Sequence, residues 1–163
     1  MGEDRVRAFA EWRLLEELTS RGLPVPKPIA ARYERQGLSY RCDLITQRIA
    51  GAKPLSGMLA LAALPESQWR AIGAAVGRLH RAGVDHADLN AHNILLDAQG
   101  VVTVIDFDRG RLHGQGGRGG RGAWAARNLR RLHRSLIKIS RGFEPGRFGA
   151  TAWDWLQAGY DAA

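Results

Sequence analysis

Apolar residues recur along this chain with two periods, and the switches between them divide it into elements. Phe9, Trp12, Leu15 and Leu18 fall three residues apart, which predicts a helix over residues 4–21 stopped by Gly22 and Pro24. Residues 28–34 and 40–47 alternate imperfectly and predict two strands joined around Gln36-Gly37. Leu55 to Leu64 reads as a short apolar helix ended by Pro65. Between Glu66 and Ala82, Trp69, Ile72, Val76 and Leu79 form a stripe at helical spacing, closed by Gly83. That stripe marks a scaffold helix, with His80 expected to cap its last turn. Ile94-Leu95-Leu96 and Val101 to Ile105 flank Asp97-Ala98-Gln99-Gly100, a β-hairpin pattern with a Gly-containing turn. Trp124, Leu129, Leu132, Leu136 and Ile139 give an apolar face to a helix over Ala123–Ile139, with Arg127, Arg130, Arg131, Arg134 and Lys138 around the rest. A last helix is predicted over Thr151–Tyr160.

Composition narrows the class. The 163 residues, 45% of them hydrophobic, suffice for one domain with a substantial core. A single cysteine, Cys42, excludes an internal disulfide framework and fits a reducing compartment. The start MGEDRVRAFAEW lacks the apolar core of a signal peptide, and Val6 stands where a myristoylation pattern wants Ser or Thr. No apolar run approaches the roughly 18 residues of a spanning helix, so a soluble or peripheral protein is expected. The net charge of +8 is uneven. Residues 1–106 hold 13 basic and 12 acidic residues, and residues 107–163 hold 11 and 4. The C-terminal third therefore offers a positive face to anionic partners.

The chemistry concentrates between His86 and Arg111, in HADLNAHNILLDAQGVVTVIDFDRGR. A hairpin brings the residue entering its first strand close to the residue leaving its second. Asn93 and Asp106 are therefore expected to meet at one end, where an amide oxygen and a carboxylate can share a hard cation such as Mg²⁺. Asp88, on the preceding loop, is placed to accept a proton from a substrate hydroxyl. The bland alternative is that Asp88 and Asp106 only cap turns, as loop aspartates do. The full spacing H-x-D-x-x-x-x-N followed by D-F, with apolar strands on both sides, favours phosphoryl transfer.

HADLNAHNILLD and VIDFDRGR, with Asp108 where protein kinases carry glycine, resemble the lipopolysaccharide kinases of the protein-kinase-like superfamily. Within them the resemblance points to the branch acting on 3-deoxy-D-manno-octulosonic acid (Kdo). It extends from RAFAEWRLLEEL through GLPVPKPIAARY to ARNLRRLHRSL. The resemblance implies an α+β, protein-kinase-like fold, mainly the helical C-terminal lobe plus the end of the N-terminal lobe. Residues 1–50 would be a remnant of the small lobe, with a helix, two strands and a hinge, and residues 51–163 the large catalytic lobe. It implies ATP and Mg²⁺, with Asp88 as base, Asn93 and Asp106 on the metal, and Asn93 also beside the nucleotide. Glu11 would take the place of the helix glutamate that pairs with the nucleotide-binding lysine; otherwise it is a solvated surface residue. Gln47, Arg48 and Ile49 would form the hinge that offers backbone groups to adenine, although a strand leading into a turn at Gly51 fits equally well. His86 would be structural, and His92 could approach phosphate or substrate. The run Gly114 to Gly122 (GQGGRGGRG) takes the place of the activation or substrate-binding segment.

The expected acceptor is a Kdo hydroxyl on the lipid A–Kdo precursor, met at the cytoplasmic face of the bacterial inner membrane by a peripheral protein. The basic amphipathic stretch 123–139 suits an anionic membrane surface. One Gly-Arg tract is a weak RNA signal, so no nucleic-acid partner is expected. A complete site also needs a Gly-rich loop and a lysine strand ahead of Glu11, and Lys27, Lys53 and Lys138 are the only lysines. An N-terminally truncated homologue is therefore expected. The rivals are another phosphotransferase of the same fold, acting on a heptose or a protein hydroxyl, and a non-catalytic pseudokinase binding anionic lipid or RNA.

Overall fold

The computed structural model describes residues 7–37, 39–113 and 122–163. The tract from Gly114 to Arg121 and the start of the first predicted helix lie outside the described residues. In chain order the elements are α1 (Arg7–Ser20), β1 (Pro28–Gln36), β2 (Ser39–Thr46), β3 (Lys53–Pro54), α2 (Leu55–Leu61) and α3 (Glu66–Arg81). They continue with β4 (Val84–Asp85), β5 (Ile94–Leu96), β6 (Val102–Val104), β7 (Arg111–Leu112), α4 (Ala123–Ser140) and α5 (Ala150–Ala162). Helices beside small antiparallel sheets make this the expected α+β arrangement. β1 and β2 form a hairpin of their own, β5 lies between β3 and β6, and β4 pairs with β7.

The apolar stripes predict the core well. Leu15 and Leu18 of α1, Trp69, Ile72 and Val76 of α3, and Leu132 and Leu136 of α4 are all buried in one cluster with the β5–β6 side chains. α3 and α5 approach so closely that side chains cannot fit between their backbones. A Cβ on Gly73 would lie 1.9 Å from the Leu156 carbonyl oxygen, and one on Gly159 would lie 2.1 Å from that of Arg70. These contacts make α3 and α5 one unit, from whose end the β4 loop departs.

Three local expectations are corrected, and three short strands are added. α2 stops at Leu61 rather than Leu64, because Pro65 opens α3 and the chain ahead of it is extended, with Ala62 at φ −153°, ψ 158°. Val101 belongs to the turn, not the strand: it is exposed, and its N–H is donated to Asp97 Oδ1 at 2.8 Å. The two-residue strands β3, β4 and β7 carry too little pattern to be seen in the sequence. His80 does not face solvent at a helix end. It is buried, with Nδ1 2.8 Å from the Tyr160 hydroxyl and its ring edge-on to Trp124, so it packs α3 against α4 and α5.

Candidate active site

The β5–β6 hairpin is built from its turn outward. Asp97 Oδ1 accepts the N–H groups of Gln99 (2.9 Å) and Val101 (2.8 Å), and Gly100 takes the left-handed backbone that the turn requires. This fixes the register Ile94↔Val104 and Leu96↔Val102, with all four side chains buried. At the open end Ile105 donates its N–H to the Asn93 carbonyl at 2.9 Å. Asn93 and Asp106 consequently meet, as the spacing predicts. The buried Asn93 amide nitrogen lies 3.3 Å from the Asp88 carbonyl oxygen and 3.4 Å from Asp106 Oδ2.

Asp106 has φ 67°, a left-handed backbone that aspartate tolerates better than most residues but that needs support. Two side chains supply it from opposite sides. His86 Nε2 donates to the Ile105 carbonyl at 2.8 Å, and Glu11 Oε1 accepts the Phe107 N–H at 2.9 Å. The peptide groups before and after Asp106 are thus both held, and the carboxylate between them stays exposed. His86 is buried against Phe107, with ring centroids 4.7 Å apart. Burial lowers its pKa below the usual imidazole value, against the smaller opposing effects of the Ile105 hydrogen bond and the Asp106 and Asp88 charges. Glu11 is pushed the other way. Burial raises its carboxyl above the ordinary range, the Phe107 N–H opposes that, and the charges of Asp106 and Asp108 add to it. Arg7, one turn ahead of Glu11, pairs with Asp108 through Nε at 2.8 Å. α1 therefore grips the segment after Asp106 at two points.

The loop carrying Asp88 is held as tightly. Ala87 has φ 56° and donates its N–H to Asp85 Oδ1 at 3.0 Å; Asp88 donates its N–H to the His86 carbonyl at 2.6 Å. Asn90 Nδ2 donates to the Asp88 carbonyl at 2.9 Å. One stripe of α4 runs along this loop. Arg127 Nη2 lies 3.5 Å from the buried Asp85, Arg131 forms an ion pair with Asp88 Oδ1, and Ser135 Oγ accepts the Ala91 N–H at 3.2 Å. His113, stacked on Trp124, places Nε2 3.6 Å from Asp85. Sequence reasoning missed Asp85, Arg127, Arg131 and Ser135 as partners of the loop. The signal was present in their four-residue spacing along α4, which puts all three α4 residues on one side of the helix. Two of the five basic residues assigned to an outward-facing surface instead turn to the loop.

A cleft of about 510 Å³ opens beside Asp106. Glu11, Gln47, Arg48, Ile49, Leu95 and Asp106 are among its lining residues. The structure so gathers the predicted helix glutamate, hinge segment and metal-side aspartate around one cavity, with Asn93 bonded at its edge. Asp88 is not in that lining; it lies beyond Asn93, against α4. Gln47 gives its backbone N–H to the Lys27 carbonyl at 2.8 Å. His92 turns Nδ1 to Ser56 Oγ at 2.9 Å.

The donor set fits a nucleotide-bound Mg²⁺ rather than a resident metal. Among the described residues no group of three or more His, Cys, Asp or Glu side chains could hold an ion. Asn93 and the Asp106 carboxylate supply two oxygen donors. Mg²⁺ commonly takes one or two protein oxygens and completes its shell from phosphate and water. With its Nδ2 directed to the Asp88 carbonyl, which can only accept, Asn93 keeps Oδ1 as the group that would meet a cation.

The model of the lipopolysaccharide kinase (Kdo/WaaP) family matches residues 3–160. The chain is 46% identical over 162 residues to the 3-deoxy-D-manno-octulosonic acid kinase of Xanthomonas oryzae pv. oryzae (strain PXO99A), an alignment covering 99% of this chain and 62% of that protein. It is 50% identical over 138 residues to the kinase of the same name from Xanthomonas axonopodis pv. citri (strain 306), and 51% identical over 138 residues to that of Stenotrophomonas maltophilia (strain K279a). Each of these alignments covers 85% of this chain and 53% of the relative. The chain thus spans a little over half to about 62% of the length of these relatives.

Proposed function

The chain belongs to the lipopolysaccharide kinase (Kdo/WaaP) family, and from that premise we propose that it carries the catalytic groups for ATP-dependent phosphorylation of a Kdo hydroxyl. The acceptor is the lipid A–Kdo precursor of the lipopolysaccharide core. The observation that carries this reading is the linkage of Asp88, Asn93 and Asp106, with one asparagine amide bridging the backbone of the first and the carboxylate of the third. ATP supplies the phosphoryl group and Mg²⁺ neutralises charge on its oxygens, leaving ADP and a sugar phosphate monoester.

Each residue of the site has a definite task in this scheme. Asp88 orients the acceptor hydroxyl and takes its proton. Asn93 holds the Asp88 loop at a fixed distance from Asp106, so that base and metal ligand keep their spacing. His86 and Glu11 hold Asp106 in its left-handed turn and aim its carboxylate at the cleft. Leu95 and the segment Gln47–Ile49 form walls for the adenine. Because the Gln47 N–H is already given to Lys27, Gln47 would contribute its carbonyl or side chain, with Ile49 beside it. Residues 1–50 act as the nucleotide-side lobe and residues 51–163 as the catalytic lobe.

Among the described residues no helix is long and apolar enough to cross a membrane. The exposed Arg130, Arg134 and Lys138 of α4 support peripheral attachment to an anionic bilayer, each cation contributing about 1 kcal/mol near acidic lipid. In this reading the site works at the cytoplasmic face of the inner membrane. A second reading, a non-catalytic pseudokinase, draws on Glu11: it bonds a backbone N–H, and the described cleft lining holds no lysine.

Mg²⁺-dependent transfer of labelled γ-phosphate from ATP to a Kdo-bearing lipid A precursor separates the two. Asp88→Asn is expected to lower transfer by at least about 10²-fold, within the range for removing a general base, while ATP binding is retained. Turnover surviving in that variant would remove Asp88 from the role of base. Nucleotide binding without transfer by the wild type would favour the pseudokinase.

A further inference from the structure

Two aspartate–arginine pairs join α4 to the catalytic loop, and they differ in kind. Asp85 is buried, its side chain 8% exposed, and it receives the Ala87 N–H together with His113 and Arg127. Such a carboxylate needs a cation, because a buried unpaired charge is costly. Asp88 is 38% exposed and its partner Arg131 49% exposed. Asp88 Oδ1, the atom that meets Arg131, is shielded from solvent, but the two side chains as a whole reach water, and a pair at that exposure contributes little to stability. Arg131 is therefore not needed to hold the loop, which Asp85, His86 and Ser135 already fix. What its position gives is contact with whatever group Asp88 receives.

Resting on the reading of Asp88 as the residue that takes the acceptor hydroxyl, we propose that Arg131 binds a carboxylate carried by the same sugar. The site therefore selects acid sugars. A hydroxyl within hydrogen-bond reach of Asp88, about 2.6–3.2 Å, lies within one carboxylate's width of the Arg131 guanidinium. Only groups on the same sugar, a few bonds from that hydroxyl, reach it. The guanidinium has five donors in a planar fork that matches a carboxylate at two points, so it can accept the incoming anion as Asp88 releases it to take the hydroxyl. The surrounding field favours the exchange. Residues 123–140 contain five basic side chains and no acidic one, and Arg130 and Arg134 are exposed in the adjoining turns. A neutral sugar would gain none of this. Arg131 is in this sense a specificity-determining residue, while Arg127, matched to a buried aspartate, is a structural one.

The test uses two soluble acceptors that lack lipid and phosphate: a methyl glycoside of Kdo with its free carboxylate, and the carboxyl methyl ester of the same glycoside. Transfer is followed over both acceptor and ATP concentrations, acceptor binding by titration calorimetry, and folding by the thermal midpoint. Wild type is expected to prefer acid over ester by about 10- to 100-fold in kcat/KM, the size of one charge-assisted pair. Arg131→Gln should raise the acceptor KM for the acid by that factor, bring acid and ester level, and leave the ATP KM and the midpoint unchanged. Arg131→Lys should recover part of the preference, and Arg141→Gln at the end of the same helix should behave as wild type. Retention of the acid preference by Arg131→Gln would overturn the proposal. So would an equal loss on both acceptors with a lowered midpoint, which is the mark of a structural role, or a wild type that uses the ester as well as the acid. Absence of transfer to either glycoside by the wild type would instead overturn the phosphotransfer reading beneath it.

Discussion

Two hairpins border the cleft, and the shorter one is the better built. β1 and β2 pair over nine and eight residues, yet Ile29 and Ile45 remain 60% and 57% exposed, and the exposed ion pair Arg32–Asp43 joins the strands. β5 and β6 are three residues each, but Ile94, Leu96, Val102 and Val104 are all buried, and a side chain holds their turn. Strand length and ladder hydrogen bonds therefore do not decide which hairpin can position chemistry. Burial does, because a strand with one face fully in the core cannot slip by a residue without turning that face outward. Asn93 and Asp106, whose spacing the proposed chemistry depends on, flank the buried hairpin. Gln47, Arg48 and Ile49, which line the cleft, follow the exposed one.

The contrast can be broken at several points. The largest effect is expected from Asp106→Asn, which keeps the turn and its two clasps but weakens the oxygen donor. Transfer to the Kdo-bearing acceptor should fall by roughly 10²- to 10³-fold, with an unchanged thermal midpoint showing that the loss is chemical. Next comes Ile94→Ala on the short hairpin. It should destabilise the chain by about 3 kcal/mol, as a buried truncation that leaves a cavity, measured by urea unfolding. If the loss were under about 1 kcal/mol, the ranking of the two hairpins would be wrong.

Glu11→Gln is expected to act through pH. The folded carboxyl has a pKa raised above its unfolded value of 4.5, so the native state holds this proton more tightly. The stability it contributes is complete below 4.5 and is lost as the pH rises through the folded value. Glutamine still accepts the Phe107 N–H but does not titrate. The variant should therefore lack that downward slope, and its stability relative to wild type should improve from pH 4.5 upward, as read from unfolding midpoints across pH. Identical pH profiles would mean that Glu11 is not desolvated. The smallest effect belongs to Ile45→Thr on the long hairpin, a surface exchange that should stay within about 0.5 kcal/mol in the same urea experiment.

Much of this was legible in the chain itself. The core faces of α1, α3 and α4 follow from helical spacing, and the meeting of Asn93 and Asp106 follows from one hairpin and its turn. Both signals are local, so each lies within one element or one turn of sequence. What escaped are pairings set by packing. His80 has the position of a C-terminal cap, and its buried role depends on Tyr160, far along the chain. Arg131 reads as one of five solvated cations until α4 is laid against the loop, and the bond between Ala91 and Ser135 spans 44 residues. β3, β4 and β7 are strands only because of what lies beside them. Glu11 stood open between a surface residue and a site residue, and its hydrogen bond to Phe107 brings it into the cleft.

The stripe Arg127, Arg131, Ser135 acts as a ruler. Each four-residue step along α4 advances about 6 Å, and the loop must match it with the three-residue steps Asp85, Asp88, Ala91. Three residues could span roughly 10 Å if extended, so the loop has slack that it stores in compact turns, the left-handed Ala87 among them. Substituting Asp85 or Asp88 removes one mark and leaves the others, whereas Ala91 is read through its backbone N–H. Inserting or deleting one residue between Asp85 and Ala91 would move later contacts off their marks together. In this segment the count of residues is a constraint of its own, beside the identity of Asp85 and Asp88.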